Sequence, residues 1–110
     1  MNPIELASEI IATYERHGWQ LRRLLLRPAT SAELEHVDDA NWGAAVIDSD
    51  FDALWFARSS HVKREAWELR LLADQPYALF EAFEDDESEE DREEARREME
   101  NKMRQYALKE

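Results

Sequence analysis

Three aspartates spaced two apart, Asp48, Asp50 and Asp52, are the residues whose type and spacing come nearest to a chemical site. Alternating carboxylates can present oxygens to a hard cation such as calcium or magnesium. The same segment, with Ser49 inside it, equally suits a polar turn in which short side chains bond nearby backbone. His17, His36 and His61 are the other candidate ligands, but they are far apart in sequence and no HExxH pattern is present. Ser59-Ser60-His61 sets serine beside histidine without the Gly-x-Ser-x-Gly turn that exposes a nucleophile. Glu68 and Glu81 are the acids set within aromatic strand patterns, and a carboxylate serves as a general acid or base where apolar surroundings shift its pKa. With only Gly18 and Gly43 there is no glycine-rich phosphate loop, and the lack of cysteine excludes disulfides and thiolate chemistry. No residue set points to an enzyme, and none calls for a cofactor.

Counted from Asp48 as the first position of an EF-hand calcium loop, the sixth is Ala53 in place of glycine and the twelfth is Ser59 in place of glutamate. The run AAVI followed by Asp48 and Asp50 resembles the start of haloacid-dehalogenase-like phosphatases. That resemblance implies a much larger α/β domain with a distant lysine and acidic pair, for which 110 residues leave no room.

The elements that would position these residues follow from periodicity and punctuation. Asn2 as cap, Pro3 at the first helical position and Glu5 at capping-box spacing start a helix. Its apolar stripe is Ile4, Ala7, Ile10, Ile11 and Tyr14, and Gly18 stops it. Trp19–Arg27 reads as a strand ended by Pro28. Thr30 and Glu33, at capping-box spacing, predict a short helix from about Ser31 to Val37, with a loop over 38–43. Strands are predicted at Ala44–Asp48, Ala53–Arg58, Ala66–Leu72 and Tyr77–Phe83, the last two flanking the turn Asp74-Gln75-Pro76. Nine of the eleven aromatics fall between residues 19 and 83, which favours strands there. From about Ser88 to Leu108 good helix formers dominate, with Glu93–Arg97, Glu98–Lys102 and Glu100–Arg104 at i, i+4 and a thin stripe of Ala95, Met99, Met103 and Tyr106. The expectation is a single α+β domain over 1–110. It consists of an antiparallel sheet of four to five strands, an N-terminal helix, a short connecting helix and a long charged C-terminal helix over 84–110.

Net charge is −12, and residues 84–94 alone hold nine acids and one arginine. Such a field repels phosphate, so neither nucleic acid nor an anionic membrane is an expected partner. No stretch approaches the ~20 apolar residues of a membrane span, and the first residues do not read as a secretory leader, so a cytoplasmic setting is expected.

Large apolar groups alternate onto both sides of the strands: Trp67, Leu69 and Leu71 on one, Phe80 between Ala78 and Ala82, and Trp55 opposite Leu54 and Phe56. A sheet with one wet face would alternate apolar with polar. The two helices must therefore cover both faces, or an apolar face contacts another protein. The sequence accordingly predicts a non-enzymatic interaction domain, a homodimer or partner binder acting through an apolar sheet face or the acidic C-terminal helix. Trp55, Trp67, Met99 and Met103 are its expected surface. The alternative is a small-molecule or divalent-metal module using Asp48, Asp50 and Asp52.

Overall fold

In the computed structural model, which describes residues 2–35, 42–60 and 64–109, Asn2 caps the first helix by accepting a hydrogen bond from the Glu5 amide at 2.8 Å. Helix α1 spans Pro3–Arg16, burying Ile4, Ala7, Ile10 and Ile11, and Gly18 turns the chain out of it at φ +85°, where other residues are strained. Strand β1 (Gln20–Leu26) follows, and Pro28 begins α2 (Pro28–Glu35) directly. This helix starts ahead of the predicted Ser31, because the proline ring presets the first helical φ. Thr30 therefore lies inside it and is no cap: its hydroxyl is buried and donates to Asp52 Oδ2 at 2.8 Å. The predicted end of this helix at Val37 and most of the 38–43 loop lie outside the described residues.

Strands β2 (Ala45–Asp48), β3 (Ala53–Ser59), β4 (Arg64–Leu71) and β5 (Ala78–Glu84) and helix α3 (Glu89–Ala107) complete the chain. The sheet has five strands in the order β2-β1-β3-β4-β5. It is mixed, not purely antiparallel, because β2 lies parallel to β1, with Leu24 opposite Val46 and Leu25 opposite Ile47. The chain between them, which includes α2, supplies the crossover that a parallel pair requires. Segment 49–52 is consequently not a hairpin. It carries the chain from β2 past the end of β1 to β3 on the other side, and the Ser49 amide bonds the Leu26 carbonyl on the way. Asp52 pins that crossing by accepting from the Arg27 amide at 2.7 Å, from Arg27 Nε at 3.2 Å and from Thr30.

Each face of the sheet carries an apolar cluster. On one, Leu25, Phe51, Trp55, Trp67, Leu69, Leu71 and Phe83 meet Met99 and Met103 of α3. On the other, Leu21, Leu24, Leu26, Leu54 and Phe56 meet Ala7, Ile10 and Ile11 of α1. Ser88 caps α3, accepting from the Asp91 amide at 3.1 Å. The i, i+4 pairs predicted along α3 give way to other partners. Glu93 holds Arg23 of β1 and, one turn along α3, Arg96; Glu100 accepts from the Trp55 indole at 2.8 Å, and Arg104 reaches Asp50 at 2.9 Å.

Candidate interaction surface

The four residues expected at a docking surface are placed inside the chain's own core. Trp55 and Met103 are 0% exposed, Met99 7% and Trp67 8%. The physical reason is α3. Its stripe of two methionines is widened by Arg96, which is 2% exposed and lies 4.4 Å over the Trp67 ring. Arginine buries its stem and ring-facing plane while its charge stays paired, here with Glu89 and with Glu93 at 2.8 Å.

The aspartate turn is likewise divided among internal partners. Asp50 turns to Arg104, Asp52 to Arg27 and Thr30, and Asp48 stays exposed on β2. Among the described residues no group of three His, Asp or Glu side chains could hold a metal ion. His17 is exposed, its Nδ1 2.8 Å from the Thr13 carbonyl, while His36 and His61 lie outside the described residues. Arg23 and Arg27 pair internally, with Glu93 and Asp52. Among the described residues no helix is long and apolar enough to cross a membrane.

Among the described residues, half of one face remains open beside α1. Helix α1 lies over β1 and β3, and α3 packs on β4 and β5 from the opposite side. The register carries the α1 face outward from Leu54 and Phe56 to Arg70 and Glu68 on β4, and then to Ala78 and Phe80 on β5. Phe80 is 56% exposed, the most exposed large apolar side chain among the described residues. Its ring meets Trp19 edge-on at 6.4 Å, and Ala78 and Ala82 beside it are exposed. Between this shelf and α1 run two adjoining hollows, of about 310 Å³ and 190 Å³, which share Thr13 and Tyr14 as walls.

The floor of the hollows has defined chemistry. Tyr14 stacks on Phe56 at 4.0 Å and donates its hydroxyl to Glu68 Oε2. Burial pushes the Tyr14 hydroxyl pKa well above its ordinary value, and the Glu68 carboxylate adds to that. Glu68, one of the two acids set within the aromatic strand pattern, is thus half-buried. Arg58 lies 4.5 Å over Trp19 and donates to the His17 carbonyl at 3.0 Å, and Arg70 donates to the Leu71 carbonyl. Neither has a carboxylate partner among the described residues.

The sequence pattern shows Phe80 as one apolar group among several and not as the exposed one, because it sits between alanines on a strand already rich in apolar groups. The available signal was the uncharged run 75–80, unusual in a chain with 36% charged residues. Comparison with protein-family models, with curated proteins and with solved structures gives no match for this chain.

Proposed function

We propose that this protein is a non-enzymatic, cytoplasmic interaction domain that docks a partner protein on the β4–β5 half of its α1 face. The exposed Phe80, seated against Trp19 and flanked by an open trough along α1, carries this reading. A helix layer that ends half-way across a sheet offers a slot in which a partner segment can lie beside α1. Aromatic and arginine side chains such as Phe80, Trp19, Arg58 and Arg70 are the types that anchor interfaces. The turn after β5 and the start of α3 add the exposed acids Asp85, Asp86, Glu90, Asp91 and Glu94, none of them ion-paired among the described residues. Together with the net charge of −12, they favour a partner with a basic flank.

A photo-crosslinking phenylalanine analogue at position 80, with a second at Ser8 on the outer side of α1, tests the reading. A discrete protein adduct is expected from position 80 and not from position 8, and Phe80→Lys is expected to abolish binding of the protein so identified. Binding that Phe80→Lys leaves unchanged would place the contact elsewhere.

A further inference from the structure

The other end of the sheet presents a different surface. Among the described residues nothing pairs with the outer side of β2, which stands first in the strand order. All of Ala45–Asp48 is exposed, with Val46 at 46% and Ile47 at 40%. Val46 lies opposite Leu24 and so shares the α1 face, and Ile47 lies opposite Leu25 and shares the α3 face. The edge is therefore apolar on both sides. It is also uncharged: residues 40–47 form the longest stretch without Asp, Glu, Lys or Arg in the chain. Edge strands that must stay solitary are guarded by charge, proline or cover. The opposite edge, β5, carries Glu81 and Glu84 and runs into the acidic turn, whereas β2 has no charge before Asp48.

We propose that β2 pairs antiparallel with β2 of a second copy of this chain, joining two five-stranded sheets across a two-fold axis. Charge selects the occupant. Each copy carries −12, and the acidic stretch that ends β5 and turns beyond it, Glu84 to Glu87, stands at the far edge of the sheet, while Glu93 of α3, which reaches β1, is paired with Arg23 and Arg96. Four strand spacings put that edge roughly 19 Å from β2. This is more than twice the screening length of about 8 Å at physiological salt. Pairing β2 with β2 sends the acidic edges outward, while pairing β5 with β5 would bring Glu81, Glu84 and the acidic turn against their own copies. A basic partner has no acid on Ala45–Ile47 to recognise. A symmetric contact, in which Val46 and Ile47 meet the same residues of the other copy, satisfies the open backbone groups and the exposed side chains together. The strand is short, so the pair buries well under the ~800 Å² per partner of a stable interface, and the dimer is weak.

Sedimentation equilibrium from about 5 to 500 µM reads this directly. The weight-average mass is expected to rise from 13.0 kDa toward twice that value. Val46→Lys and Ile47→Lys, at exposed positions, are expected to hold the mass at the monomer value with an unchanged melting temperature. Phe80→Lys should still dimerise, which separates this contact from the docking surface proposed above. Because the chain has no cysteine, Val46→Cys and Ile47→Cys each introduce the sole thiol. At least one is expected to give a disulfide-linked dimer on mild oxidation, and a Ser8→Cys control is not. A monomer throughout the range, or a dimer that survives both lysines and dissolves with Phe80→Lys, overturns the proposal.

Discussion

The two faces of the sheet start from similar apolar strands and end differently. On the α3 side the large groups beneath the helix are enclosed: Trp55, Leu69, Phe83 and Met103 are at most 1% exposed. Each buried indole nitrogen there finds a carboxylate, Glu100 for Trp55 and Glu65 for Trp67 at 2.6 Å. On the α1 side enclosure stops at Phe56, and the register continues into Glu68, Arg70 and Phe80. The difference lies less in the strands than in the helices laid on them. α3 reaches across its face with methionines and a buried arginine, and ion pairs tie one end to Arg23 of β1 and the other to Asp50 in the crossing between β2 and β3. α1 is shorter, and its last buried residue, Ile11, is followed by Tyr14, which spends its hydroxyl on Glu68. Apolar strands do not by themselves reveal which face is finished. The reach and composition of the covering helix decide it.

Substitutions of similar size on the two faces would test that contrast most severely. Trp55→Ala is expected to lose about 3–5 kcal/mol of stability in urea denaturation, the range for emptying a large aromatic site. Phe80→Ala, at 56% exposure, should stay within about 0.5 kcal/mol. Comparable losses at the two positions would mean that Phe80 is covered in solution.

Arg96 comes next. Arg96→Ala removes the stem that widens the α3 stripe and is expected to cost about 2 kcal/mol, while Arg96→Met, which keeps the stem, should recover most of that. If the two variants were equally destabilised in the same denaturation assay, the charge rather than the packing would be the important part.

On the open face, Tyr14→Phe is expected to cost about 1 kcal/mol by removing the hydroxyl from Glu68. Because the folded Tyr14 pKa is raised, its contribution is complete below its ordinary value of 10.0 and declines as pH rises beyond it, the unfolded tyrosine ionising first. Stability measured from pH 8 to pH 11 should therefore fall more steeply in the wild type than in Tyr14→Phe.

The smallest effect belongs to Glu93. Its hydrogen bonds to Arg23, and after that to Arg96, hold its pKa down to about 2, against an ordinary 4.5. The sign is that of a depressed carboxylate: its contribution is present above 4.5 and is lost as pH falls toward 2. Solvent reaches this pair, so the loss is modest. Glu93→Gln should lower the melting temperature slightly at neutral pH and meet the wild type as pH falls toward 2, so that its acid limb is flatter.

Much of the local structure was legible in the residues. Asn2, Gly18 and Ser88 marked helix ends because caps and positive φ depend on near neighbours only. Strand limits came within a few residues for the same reason. The parallel placement of β2 was not legible, since Asp48-Ser49-Asp50 reads as a hairpin turn unless one knows that β1 has taken the position next to β3. Two apolar faces were visible in the alternation of Trp55 with Leu54 and Phe56. Which half of a face stays bare was not, because it depends on where α1 and α3 come to rest. Arg96 was invisible as a core residue, since nothing in Glu-Ala-Arg-Arg-Glu separates a buried arginine from an exposed one.

The crossing at Asp52 also bears on how the chain is made. Helix α1 and β1 are made before both flanking partners of β1, and the inner one ends only at Ser59. β1 lacks both sheet partners while that length is synthesised, so it cannot join a sheet with its near neighbours, and its assembly waits for long-range pairing.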